Sequence, residues 1–222
     1  MKSTLKRLAL LTVAMVLGLA SCEDDFGPEH DRGNNGGGGT ITGTINGHDY
    51  VDLGLPSGTK WATCNIGANA PEGYGNYYAW GETTTKSSYT EGNSRTYGVS
   101  MNDISGNATY DAARANWGST WRMPTEAEMQ ELENNCTWTW TTQSGVNGYR
   151  VTGPNGNSIF LPAAGCCRGT SRDYVGGYGN YWSSTPYESD DNYACDLFFG
   201  SVNHYVGWSY RYFGYSVRPV SD

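Results

Sequence analysis

Lysine is nearly missing from this chain. Beyond Lys6 there are only Lys60 and Lys86, and no run of basic residues occurs anywhere. Lys2, Lys6 and Arg7 precede every acidic residue. Without that leader, 11 basic residues face 22 acidic ones, a balance of −11. Such a charge excludes nucleic acid and anionic membrane faces as partners. Long apolar runs are scarce too: the one clear case is "LALLTVAMVLGLA" near the start. Zinc-type cysteine pairs are absent, and His30, His48 and His204 stand far apart, so no metal site is expected. No Ser-His-Asp arrangement can be inferred.

What is present begins with that early apolar run. Lys2, Lys6 and Arg7 ahead of it, and its short length, mark a secretory signal over residues 1–21 rather than a spanning helix. It ends in Leu19-Ala20-Ser21-Cys22, a lipobox in which small side chains admit a peptidase and the thiol accepts diacylglycerol. Cys22 is therefore the expected lipidation site and membrane anchor. Residues 22–39 read as an acidic, glycine-rich tether, with Gly36 to Gly39 as its flexible end. Its acid run resembles the signal that sends Bacteroidetes lipoproteins to the outer face of the outer membrane, so cell-surface display is expected. One domain should follow, over 40–222. Five cysteines remain in an oxidising compartment: Cys64, Cys136, Cys166, Cys167 and Cys195. An odd number cannot all pair, and the sequence does not say which do.

Gly (31) and Tyr (17) abound, which points to short strands and many turns. "HDYVDLGLPSGTKWATCNIG" reads as a hairpin broken at Pro56-Ser57-Gly58. "GYRVTGP" and "NSIFLPAAG" read as another, over Asn155-Gly156. Two helices are expected. The first runs through "TYDAARANWG" with Thr109 as cap and Gly118 as stop. The second opens on a Thr125/Glu128 capping box, with Met129 and Leu132 as its apolar stripe. Two helices between early and late strands give an α+β expectation.

Several ordered stretches carry a resemblance: "YVDLGLPSGTKWATCNIGA", "YYAWGET", "YDAARANWGSTWRMPTEAEMQEL", "IFLPAAG", "YWSSTP" and "YGYSVRPV". Together, over nearly all of 48–220, they resemble the Fibrobacter succinogenes major paralogous domain, a family of surface lipoproteins. The resemblance implies a C-type lectin-like fold, with two helices packed on small antiparallel sheets and long loops carrying the ligand surface. It implies no general catalytic activity and no cofactor. It also implies a target of a diversity-generating retroelement, whose variable protein is rewritten at adenines to give NNC or NNT codons. From Ala163 to Asp222 there is no Lys, Gln or Met, and only Trp182, Glu188 and Trp208 lie outside the permitted set. Cys166, Cys167 and Cys195 stand where relatives carry other residues, as random codons would produce.

The expected binding face is the C-terminal strip, whose Tyr, Ser, Gly and Asn are the palette of antibody-like surfaces. "YWSS", Leu197, Phe199 and "GYSVRPV" would be its frame, with Phe199 and Tyr215 in the core. Arg168, Arg172 and Asp173 would contribute from one loop. Tyr187, Asp190, Asp191 and Asn192 would contribute from a second. Asp196, Phe198, Asn203, His204, Tyr205, Trp208, Ser209, Tyr210 and Tyr212 would point outward from the strands. The ligand would be a protein or glycan on a host, phage or neighbouring cell. Glu188, Asp190, Asp191 and Asp196 offer hard oxygens, but the Glu-Pro-Asn and Trp-Asn-Asp motifs of calcium-dependent lectins are missing. Two other functions stay open. One is a structural or tip subunit of a surface appendage. The other is an oxidase like the formylglycine-generating enzymes, using Cys166-Cys167, although their Arg-Gly-Gly-Ser-Trp stretch is absent.

Overall fold

Period-two alternation of Tyr, Thr, Trp and Val builds most of this domain. A computed structural model describes residues 40–222; the expected signal, the Cys22 anchor and the tether fall on 1–39, outside the described residues. The elements run β1 (Gly43–Ile45), β2 (His48–Asp52), β3 (Lys60–Ala62), α1 (Ala112–Trp117), α2 (Glu126–Asn135), β4 (Thr137–Gln143), β5 (Val146–Thr152) and β6 (Ser158–Pro162). There follow β7 (Cys166–Arg168), β8 (Ser171–Asp173), β9 (Gly179–Pro186), β10 (Tyr193–Gly200), β11 (Asn203–Tyr210) and β12 (Val220–Ser221). They form four sheets, ordered β1-β2-β3-β12, β11-β10-β9, β4-β5-β6 and β7-β8, and every strand pair is antiparallel.

The α+β, C-type lectin-like expectation is overturned here. The described domain is mostly β, with twelve strands in four small sheets and only two α-helices, of 6 and 10 residues. Both helices lie where their signals placed them. What the sequence under-reported was strand. β9, β10 and β11 are eight residues each, and because Gly, Ser and Asn interrupt their apolar alternation, the sequence marks strands there without showing their length.

Local chemistry explains the ends. The β2–β3 pair and the β5–β6 hairpin form where the two hairpins are expected. Asn46-Gly47 joins β1 to β2 with both φ values positive (47° and 79°), the backbone a tight hairpin needs. The Thr125/Glu128 box caps α2 as expected. α1 is capped by Asp111 rather than Thr109. Buried Asp111 accepts from the backbone N–H groups of Ala113, Arg114, Gly106 and Met123, so one carboxylate fixes both the helix start and two loops.

The core has two main parts. Val51, Leu53, Met129, Leu132, Val151, Leu161, Leu197 and Phe199 fill one, between α2 and the sheets β4–β6 and β9–β11. Trp80, Trp121, Trp182 and Tyr215 dominate the other, with Ala112 and Ala113 of α1. Packing is close enough that Gly179 has a structural reason. A Cβ there would lie 2.0 Å from the Phe199 ring. Gly179→Ala is accordingly expected to cost about 1–3 kcal/mol in urea denaturation, through displacement of Phe199. An unchanged midpoint would show that the ring has room to move.

Candidate functional site

The β10–β11 hairpin holds the proposed face. Its turn at Gly200-Ser201-Val202-Asn203 sets a continuous register of eight pairs, from Gly200↔Asn203 to Tyr193↔Tyr210. Side chains alternate across a strand, so Tyr193, Cys195, Leu197 and Phe199 share a face with Tyr210, Trp208, Val206 and His204. Asp196 and Phe198 share the other face with Gly207 and Tyr205. The expected site residues are therefore split between two faces.

On the first face, the half nearer the turn is covered. His204 stacks on Trp138 (4.4 Å between ring centroids, 14° between planes) and its Nδ1 lies 3.9 Å from Glu133 Oε1. It is half-buried and does not point outward as expected. Beyond it the aromatic row emerges. Trp208, 54% exposed, stacks on Tyr187 at 5.2 Å and meets Tyr193 edge-on at 5.1 Å. Tyr193 stacks on Tyr210 at 4.3 Å, and Tyr210 on Tyr212 at 5.3 Å. Tyr97, from the loop before α1, closes the row against Tyr212 at 5.3 Å. Six rings from four segments thus form one continuous surface. The hydroxyl of Tyr193 is held above its ordinary pKa, first by its hydrogen bond with Tyr210.

The row is floored by Arg211, which is fully buried. Its guanidinium lies over the Trp80 ring (4.5 Å) and donates to the carbonyls of Tyr193, Thr96 and Val99. Asp190 turns the loop by accepting from the Asn192 N–H at 2.9 Å, and the Asn192 carbonyl accepts from Arg211 N. Around the rings stand Asp190, Asp191, Glu188 and, beside Tyr97 and Tyr212, Glu91. Burial raises the Tyr97 hydroxyl pKa first, and the charges of Glu91 and nearby groups add to it.

Asp196 is the clearest correction to the expected set. It is 2% exposed, so it cannot contact a ligand or join Glu188, Asp190 and Asp191 around an ion. Burial pushes its carboxyl up to about 7, against a hydrogen bond from Ser209. Half-buried Ser209 also accepts from the Tyr215 hydroxyl at 3.0 Å, so it too serves the interior. Tyr215 and Phe199 are core, as expected.

On the second face, Phe198 contacts Tyr205 (5.2 Å) and Tyr178 (5.4 Å). Arg168 lies over Tyr174 and Phe213, and Arg172 over Tyr77 at 4.7 Å. Half-buried Asp173 pairs across β7–β8 with Cys166. Asn203 is exposed at the hairpin tip. Phe213, beneath Arg168, also meets Tyr212 at 4.8 Å, so this patch adjoins the Trp208 row at its Tyr212 end.

Cys64, Cys136, Cys166, Cys167 and Cys195 are all free. Cys166, Cys167 and Cys195 are buried, and burial raises all three thiols, that of Cys195 to about 12. They serve as small apolar core residues.

Tyr97 and Tyr193 were missed from sequence. Tyr193 was within reach, because the Gly200–Asn203 turn pairs it with Tyr210. Tyr97 lies more than ninety positions upstream of its neighbours in the row, and nothing local marks it.

A family model described as a domain of unknown function (DUF8237) matches residues 123–220, a span that includes every ring of the row except Tyr97. No curated protein and no solved structure matches the chain.

Proposed function

We propose that this chain is a binding protein whose recognition surface is the Trp208–Tyr187–Tyr193–Tyr210–Tyr212–Tyr97 row. One observation carries the reading: a large aromatic, Trp208, stands 54% exposed while its ring is fixed on one side by Tyr187 and on another by Tyr193. Exposed aromatics usually fold down onto the protein. Here the rings are held in place on a regular hairpin, so ordering them on binding costs little. In this reading Cys22 carries acyl chains that hold the protein at the outer face of an outer membrane, and the domain faces a protein or glycan.

The test is a protein and glycan array probed with the full chain and with Trp208→Ala. Removal of a central aromatic anchor is expected to cost about 2 kcal/mol, roughly a 30-fold loss in affinity. If every detected interaction survives in Trp208→Ala, the surface is wrongly assigned. Fractionation of the same cells, with Cys22→Ala leaving the membrane fraction, checks the anchor.

A further inference from the structure

We infer that the Trp208 row takes a cationic segment of a partner protein, with Arg and Lys side chains seated against the rings; this rests on the binding reading above. Three features meet at the row. The first is π surface: Trp and Tyr faces attract ammonium and guanidinium groups, Trp most strongly. The second is charge. Glu91, Glu188 and Asp191 are exposed, and Asp190 is half-exposed. The opposing cations are Arg95, in the same loop as Tyr97, Arg168, whose charge reaches Tyr212, and Arg211, whose guanidinium is already engaged by three carbonyls and lies 4.0 Å from Asp191. Acids outnumber bases at this face by four to three, in a chain of net charge −8. At physiological salt the rim charges act over roughly 8 Å, enough to reach any group stacked on the rings.

The third feature is extension, which favours a peptide over a small free amine. Successive ring centroids lie 5.1, 4.3 and 5.3 Å apart from Trp208 through Tyr193 and Tyr210 to Tyr212. Alternate side chains of an extended strand repeat every ~7 Å. Such a strand laid along the row would seat more than one cation against its rings. A single small amine would cover one ring and leave the others bare. An acidic ligand would meet the rim at a loss, and a neutral one would leave the rim unused.

The experiment measures fluorescence anisotropy of labelled octapeptides, alternating Arg-Gly, Ser-Gly and Glu-Gly, with the full chain at several NaCl concentrations. The Arg-Gly peptide alone is expected to bind, and more weakly as salt rises. Trp208→Ala, and separately the set Glu188→Gln, Asp190→Asn and Asp191→Asn, are each expected to weaken it about tenfold. Asn at 190 keeps the acceptor that turns the loop. A control set, Asp49→Asn, Asp52→Asn and Asp222→Asn, removes the same charge elsewhere and is expected to change binding less than twofold. The inference is overturned if Ser-Gly or Glu-Gly binds equally, if Arg-Gly does not bind, if either site variant is silent, or if the control set weakens binding as much. Spermidine displacing the peptide at equal affinity would make the occupant a free amine and would also overturn it. An array ligand lost in Trp208→Ala, alongside no Arg-Gly binding, would defeat this inference and leave the binding reading intact.

Discussion

Arg218→Met should remove a large part of the folding free energy, on the order of 3–5 kcal/mol, measured as a fall in urea midpoint at unchanged slope. Arg218 is 1% exposed and, among the described residues, has no carboxylate partner. Its guanidinium instead donates to the carbonyls of Ala62, Thr63 and Phe160 and to Asn65 Oδ1, at 2.6–2.9 Å. Those acceptors belong to the end of β3, the loop after it and the centre of β6. One side chain therefore pins the β1-β2-β3-β12 sheet to the β4–β6 sheet. Burial works against its charge and lowers its pKa, yet the guanidinium stays protonated because its ordinary value is so high. Methionine fills similar volume but leaves four dry acceptors, and an unmet buried acceptor costs about 1–3 kcal/mol. Arg218→Lys is expected to recover less than half of the loss, because an ammonium cannot spread over four acceptors on a planar fork. A midpoint shift below about 1 kcal/mol would mean that water enters and replaces the guanidinium.

Arg218 also shows what the sequence could and could not disclose. It belongs to the expected structural frame, "GYSVRPV", and it lies in the core. Its partners are a loop and two strands more than fifty residues away, and no periodicity records such a contact. The helices were legible because their signals are local: Thr125 with Glu128, and Gly118 after Trp117. Asp111 displaced Thr109 as the cap because its second oxygen also bonds Gly106 and Met123, a tertiary gain invisible in a four-residue window. The β-rich character was under-read because Tyr, Ser and Gly carry the alternation in β9–β11 without a continuous apolar run. The binding strip was legible in composition, but hairpin register decided which of its residues face out. That register sends Trp208 and Tyr210 to the row and Asp196 to the interior.

The buried Asp196 carboxyl should make stability depend on pH, and Asp196→Asn should remove that dependence. The neighbours that act on it are Ser209, which hydrogen-bonds it, and the interacting Tyr215 and Cys195 groups, both neutral near pH 7. Burial is the dominant cause, and it lifts the folded pKa from 3.8 to about 7. The sign follows from proton counting. Below pH ~4 the carboxyl is protonated in both the folded and unfolded chain and costs nothing extra. Between ~4 and ~7 the folded state binds more protons, so stability falls as pH rises. Above pH ~7 the charge is buried in full, at a cost on the order of 4 kcal/mol. Asparagine is neutral throughout. The stability difference, Asp196→Asn minus wild type, should therefore climb by that amount from pH 4 to pH 8. Other titrating groups, such as Asp111 with its raised pKa and Glu128 with its lowered one, contribute equally to both proteins and cancel. Denaturation of both proteins at matched pH values measures the difference. A flat difference would mean that water or a neighbouring donor already solvates the carboxylate beneath the hairpin. Because Asp196 pairs with Gly207, next to Trp208, Trp208 fluorescence should follow the same titration in the folded wild type and stay constant in the variant.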